Sequence, residues 1–141
     1  MITYETETTI DAPPSEVWKH LTDFERHGEW SRHFRLRGRA VAGASGHVEL
    51  ELFGKHAELP VVIQKVDEPR ELRWLGGPRG LITGSHYFIL ESQGDGRRTR
   101  FRHGESFSGI LAPIVWALIK SQLRPAYSGF NEDIKRRSET A

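Results

Sequence analysis

Two histidines and one glutamate are the side chains of this sequence best suited to chemistry. His86 precedes Tyr87 and Phe88, while His103 and Glu105 stand two apart in a segment that also holds Phe101 and Phe107. An imidazole titrates near neutral pH, and a carboxylate beside it in an apolar space makes a tunable acid/base pair, able to move a proton to or from an enol or carbonyl. The same groups can hydrogen-bond one another so that a polar cluster becomes tolerable in a core, and a structural or ligand-orienting role is the expected one. Two imidazoles and a carboxylate also match a facial metal triad in number. Nothing else in the sequence supports a metal, and neither a metal nor a cofactor is expected.

These residues need a strand pair to hold them. Across residues 99–107, Thr99, Phe101, His103, Glu105 and Phe107 alternate with Arg100, Arg102, Gly104 and Ser106, so a period of two puts rings, imidazole and carboxylate on one face and arginines on the other. Residues 85–91 form a second strand with His86, Phe88 and Leu90 on one face. The connecting segment, Ser92-Gln93-Gly94-Asp95-Gly96, predicts a hairpin. A Gly94-Asp95 turn sets His86 opposite His103; an Asp95-Gly96 turn sets His86 opposite Glu105 and Phe88 opposite His103. Either register points the same side chains inward.

After a break at Ser108-Gly109, Trp116, Ile119, Leu123, Tyr127, Phe130 and Ile134 recur at helical spacing, the stripe of a long helix lying along a sheet. Pro113 suits a first turn. Pro125 falls inside the pattern and removes the donor for the Ser121 carbonyl, which predicts a kink or break there.

The rest of the chain supplies the sheet. Residues 1–10 alternate as a half-buried strand, and residues 15–23 form a short helix with Val17, Trp18 and Leu21 on one side. Residues 24–27 add another helical turn stopped by Gly28. Strands are expected at 33–40, 47–53, 58–66 and 71–75, with a glycine-rich loop at 76–80 and a lip over a cavity mouth at 76–84. The order gives an α+β fold: a curved antiparallel sheet of about seven strands wrapped around a long C-terminal helix. One domain accounts for all 141 residues. A formal charge of +1 does not suit a dedicated nucleic-acid binder, and the absence of cysteine excludes disulfides, thiolate metal sites and a cysteine nucleophile. No apolar run approaches bilayer length and no leader pattern opens the sequence, so no membrane insertion and a cytoplasmic location are expected.

Ile10-Asp11-Ala12-Pro13, Val17-Trp18, Leu21-Thr22-Asp23 and Trp30, with His86-x-Phe88 and Phe101-x-His103-x-Glu105-x-Phe107-Ser108-Gly109, closely resemble the SRPBCC superfamily. This is the START-like, pollen-allergen-like helix-grip group, and the likeness is to its bacterial polyketide cyclase/dehydrase-like branch. The resemblance spans essentially the whole chain. It implies a helix-grip fold with a hydrophobic cavity between sheet and long helix, near Trp30, Trp74, His86, Phe88, Phe101, His103 and Glu105.

Two functions follow as expectations. The first is binding of a lipid-like or aromatic small molecule, with Trp30, Trp74, Phe88, Phe101, Phe107, Leu123 and Tyr127 as walls and His86, His103 and Glu105 as polar anchors. The second is a cyclase/dehydrase-type enzyme in which His103 takes a proton, Glu105 orients it and His86 polarises an oxygen. An interaction module is a third class, without a clear apolar patch in the sequence to support it. The expected partner is the small molecule alone, bound by a monomer or homodimer.

Overall fold

The computed structural model describes residues 1–78 and 80–140, so Arg79 of the expected loop lies outside the described residues. β1 (Ile2–Ile10) leads into α1 (Pro14–Thr22) and a 3-10 helix (Phe24–Glu29). There follow β2 (Phe34–Arg37), β3 (Ser45–Leu52), β4 (Lys55–Asp67), β5 (Glu71–Gly76), β6 (Thr83–Gln93), β7 (Arg98–Ser108) and α2 (Ala112–Glu139). Among the described residues the strands form one seven-stranded sheet in the order β1-β7-β6-β5-β4-β3-β2, each pair antiparallel. The sheet curls into a half-barrel around α2. A bulge in β4 between Ile63 and Lys65 shifts the register against β5, the kind of irregularity that adds local bend and twist.

β6 and β7 adopt the second of the two registers, His86 opposite Glu105 and Phe88 opposite His103. The turn itself differs from the two-residue loop expected. Gln93 pairs with Arg98, and residues 94–97 form a four-residue connection closed by Gly96 N–H to Gln93 O and Arg97 N–H to Gly94 O. Gly94, Asp95 and Gly96 all take positive φ, a run that this glycine-rich segment tolerates and most sequences would not.

α2 runs unbroken through Arg124-Pro125-Ala126, which corrects the break expected at Pro125. Both Pro125 and Ser121 are exposed, so water can hydrate the carbonyl left without a donor. Leu123 and Tyr127 on either side are buried, and their packing holds the helical path. The first helical region also continues further than expected, since the 3-10 helix includes Gly28 and ends at Glu29.

The two halves of α2 are held differently, and this makes the interior hollow. In the C-terminal half, Phe130, Asn131, Asp133 and Ile134 are buried. Asp133 accepts from the backbone N–H, Nε and Nη2 of Arg32, while Lys135 Nζ donates to Thr9 O. In residues 112–122 only Ala112 is buried. That half stands off the sheet, and the space beneath it opens into a cavity.

Candidate functional site

The cavity has a volume of about 680 Å³ and lies between β3–β7 and the N-terminal half of α2. Apolar side chains make most of its wall. Leu50, Val61, Trp74 and Phe107 come from the sheet, and Val115, Ile119 and Leu123 from the helix. Leu59 and Val62 line it while remaining 46% and 47% exposed, so its mouth lies along β4. At the inner end stand His86, Glu105 and Tyr127.

These three belong to one hydrogen-bonded chain running from the cavity into the core. Tyr127 OH donates to Glu105 Oε1 in a very short bond. His86 Nδ1 lies 3.3 Å from the same oxygen, and His86 Nε2 lies 2.7 Å from His103 Nε2. His103 Nδ1 is 2.8 Å from Asn131 Oδ1, Asn131 Nδ2 donates to Thr6 Oγ1 at 2.7 Å, and Thr6 Oγ1 donates to the His103 carbonyl at 3.1 Å.

The far end of this chain fixes the protons at the near end. The Thr6 hydroxyl is committed to a carbonyl, so it accepts from the Asn131 amide. Asn131 Oδ1 then faces His103, whose Nδ1 must be the donor. Burial, reinforced by the neighbouring His86, holds the His103 pKa well below its ordinary value, so the ring is neutral and its Nε2 accepts from His86 Nε2–H. His86 is left with Nδ1 toward Glu105 Oε1. Burial first and the Glu105 carboxylate second push the Tyr127 phenol well above its ordinary range, so it remains a donor.

Rings lock the imidazoles in place. Trp74 stacks on His86 at 4.4 Å and 10°, while Phe88 and Tyr127 both stack on His103, at 4.4 and 4.7 Å. Glu105 Oε2 is different. It has no hydrogen-bond partner among the described residues, and it is not one of the buried polar atoms left without a partner, so it reaches open space. That space is beside Gly84, another lining residue: a Cβ there would fall on Oε2.

Of the expected site residues, Trp74, His86, Glu105, Phe107, Leu123 and Tyr127 line the cavity. Trp30, Phe88, Phe101 and His103 do not. Phe88, Phe101 and His103 have no exposed surface and form the layer behind the wall, while Trp30 packs between His27 and Phe130 and lines a separate arginine-rich cleft. Both ring nitrogens of His103 are engaged, Nε2 with His86 and Nδ1 with Asn131, and His86 stands between it and the cavity. The segment at 76–84 does border the cavity through Gly77, Pro78, Ile82 and Gly84. Its backbone is tied to the start of α2 by Ile110 N–H to Gly80 O and Leu111 N–H to Leu81 O.

Asn131 and Thr6 are not among the expected site residues, and Gly84 is expected only as the end of the 76–84 lip. Asn131 had a readable signal, an amide four residues after Tyr127 and between Phe130 and Ile134 in an otherwise apolar stripe. The role of Thr6 and the approach of Gly84 to Glu105 had none, since both depend on strand register.

Residues 1–139 match the family model described as polyketide cyclase / dehydrase and lipid transport. The chain belongs to that family. No curated protein matches it. Its fold is shared with the Zhui aromatase/cyclase from Streptomyces sp. R1128, at a TM-score of 0.79 and 12% identity over 98% of this chain and 93% of that one. A START superfamily protein from Mycobacterium smegmatis superposes with a TM-score of 0.74 at 11% identity, covering 98% and 97% of the two chains. Ara h 8.0201 does so at 0.72 and 17% identity, over 99% of each. At these identities the likeness is one of fold, and the cyclase/dehydrase and lipid-transport family encompasses both binding and catalysis, so function rests on the site itself.

Proposed function

We propose that the protein binds an apolar small molecule carrying a hydroxyl group, with its rings or chain in the cavity and its O–H donated to Glu105. The observation that supports this is the asymmetry of that carboxylate: Oε1 is taken by Tyr127 and His86, while Oε2, without a partner among the described residues, faces the cavity. A free acceptor at the end of an apolar space selects a donor on the ligand and disfavours an isosteric hydrocarbon, which would leave the carboxylate desolvated and unpaired. The chain behind His86 suits a fixed anchor, since it ends at the Asn131 amide, which cannot pass a proton on.

Thermal denaturation with 2-naphthol and with naphthalene tests the reading. A ligand at ten times its Kd stabilises the native state by about 1.4 kcal/mol. 2-Naphthol should raise Tm in a saturable way, naphthalene should do so much less, and Glu105→Gln should erase the difference. Equal stabilisation by the two compounds would remove the proposed anchor.

A cyclase/dehydrase-type activity is the second reading, and the imidazole of His86 beside the carboxyl of Glu105 at the cavity surface favours it. Glu105 would then be the base and His86 the reservoir. Hydrogen–deuterium exchange at the central carbon of acetylacetone, followed by NMR, checks this. Acceleration that disappears in Glu105→Gln supports catalysis, and no acceleration by the wild type rejects it for this probe class.

A further inference from the structure

The arginine-rich cleft beside Trp30, about 670 Å³ in volume, shares no lining residue with the cavity. Four arginines meet there from separate parts of the chain. Arg32 precedes β2 and Arg35 lies in it, while Arg136 and Arg137 come from the last turn of α2. Cations suit the C-terminal end of a helix, which accounts for Arg136 and Arg137 but not for Arg32 and Arg35. Asp133 forms the base of the cleft. Its buried carboxylate accepts from Arg32 Nε and Nη2 and from Arg136 Nη2, so it holds both guanidiniums in place and leaves each with N–H groups to spare. Arg137 donates through Nη2 to Glu29 Oε1 at 2.9 Å and through Nε to His20 Nδ1 at 3.4 Å.

Arg35 has no carboxylate partner among the described residues. Glu49 stands opposite it in the β2–β3 register but pairs with Arg37 at 3.2 Å. The Arg35 guanidinium lies instead over Gly28, where a Cβ would come within 3.2 Å of Nη1. Four guanidiniums therefore meet two carboxylates, Asp133 and Glu29, in one concave space, and exposed Glu132, which also acts on Arg32, does not cancel the excess. Trp30 adds an uncharged donor. Its Nε1 has no partner among the described residues and is not one of the buried polar atoms left without one, so it opens onto the cleft. Planar forks with spare N–H groups, held by a buried acid around a net positive space, match the several oxygens and double charge of a phosphoryl group better than a single carboxylate.

We propose that this cleft binds a phosphoryl group, with Arg35 and Arg136 as its principal donors and Trp30 Nε1–H as a further contact. The cleft is separate from the chemistry at Glu105, so the two readings can fail separately. Titration of 15N-labelled protein with inorganic phosphate, phenyl phosphate and acetate at low ionic strength, followed by NMR, reads the site through the indole N–H of Trp30, assigned by its loss in Trp30→Phe. Phosphate or phenyl phosphate should shift this signal in a saturable way while the Trp74 and Trp116 indoles stay in place, and acetate should bind roughly tenfold more weakly or worse. Arg35→Gln and Arg136→Gln should each weaken phosphate binding by roughly tenfold or more, the loss expected of a charge-assisted hydrogen bond. Arg35→Gln should keep the wild-type melting curve, since it breaks no ion pair. Arg100→Gln, whose side chain pairs with Glu7 and Glu91 elsewhere, should bind phosphate as wild type does. Tighter binding of phenyl phosphate would identify an organic phosphate as the ligand class, and tighter binding of inorganic phosphate the free ion. No saturable shift at Trp30, acetate binding as tight as phosphate, Arg35 and Arg136 variants that bind as wild type does, or an equal loss in Arg100→Gln would overturn the proposal.

Discussion

Gly84 gives the sharpest test of the site's geometry. It sits in β6 without a positive φ, so alanine meets no backbone strain there. The added Cβ would nevertheless overlap Glu105 Oε2 and lie 3.2 Å from Glu105 Cδ and 3.6 Å from Phe107 Cε1. The carboxylate must retreat by roughly 1 Å to reach ordinary contact, which is about 3.5 Å between heavy atoms. Its Oε1 contact with His86 Nδ1, already 3.3 Å, should lengthen as the carboxylate moves. A hydrogen bond to a charged group contributes about 1.5–3 kcal/mol, so Gly84→Ala should lower stability by about 2 kcal/mol and Tm by roughly 5–8 °C. Urea denaturation of wild type, Gly84→Ala, Glu105→Ala and the double variant completes a cycle. In the Glu105→Ala background the Cβ enters space the carboxylate has vacated, and Gly84→Ala should then cost little. Equal costs in both backgrounds would refute the steric clamp on Glu105.

His27 is fully buried, donates Nε2–H to Leu21 O at 2.8 Å and accepts from Leu36 N–H at 3.2 Å, and burial pushes its pKa from 6.5 down to about 4. The unfolded chain takes up that proton first, so this stabilisation is complete above pH 6.5 and is lost as pH falls to about 4, a change of about 3 kcal/mol. Urea midpoints at these pH values should show the fall, and His27→Gln should flatten it; His103 acts in the same direction and accounts for the remainder. His103→Phe fills the ring's space but orphans His86 Nε2–H and Asn131 Oδ1, and should cost about 2–5 kcal/mol by the same assay. Adding Asn131→Leu should recover part of that loss, whereas strictly additive costs would contradict the assigned chain. Pro125→Ala restores a donor for the Ser121 carbonyl within an unbroken helix and should raise stability by about 1–3 kcal/mol; a lower urea midpoint would contradict this account of the helix.

The sheet was legible because its inner and outer faces differ so plainly in residue type. Alternation placed Thr99, Phe101, His103 and Phe107 inward in β7, and they are buried. Periodicity says which face a side chain takes, but not how deep it lies on a curled sheet. Phe88 and Phe101 therefore share a face with His86 and Glu105 yet sit behind the cavity, Phe88 against Phe130 on the half of α2 that is clamped down and Phe101 against Phe88. Pro125 was misread because local propensity ignores solvent: a lost helical bond on the exposed side is repaired by water. His27 carried no pattern at all, since its partners are main-chain groups six and nine residues away whose approach only the fold creates.

The proposed binding is positional: a ligand hydroxyl on Glu105 Oε2, with its apolar atoms packed beneath α2. NMR with 13C at the glutamate side-chain carboxyls, during titration with 2-naphthol, reads that position directly. Binding at Glu105 should give a saturable shift of its carboxyl carbon with nuclear Overhauser contacts from the naphthol ring to Trp74 and Leu123. Saturable binding that leaves Glu105 unmoved, with contacts only to side chains outside the cavity, would contradict it.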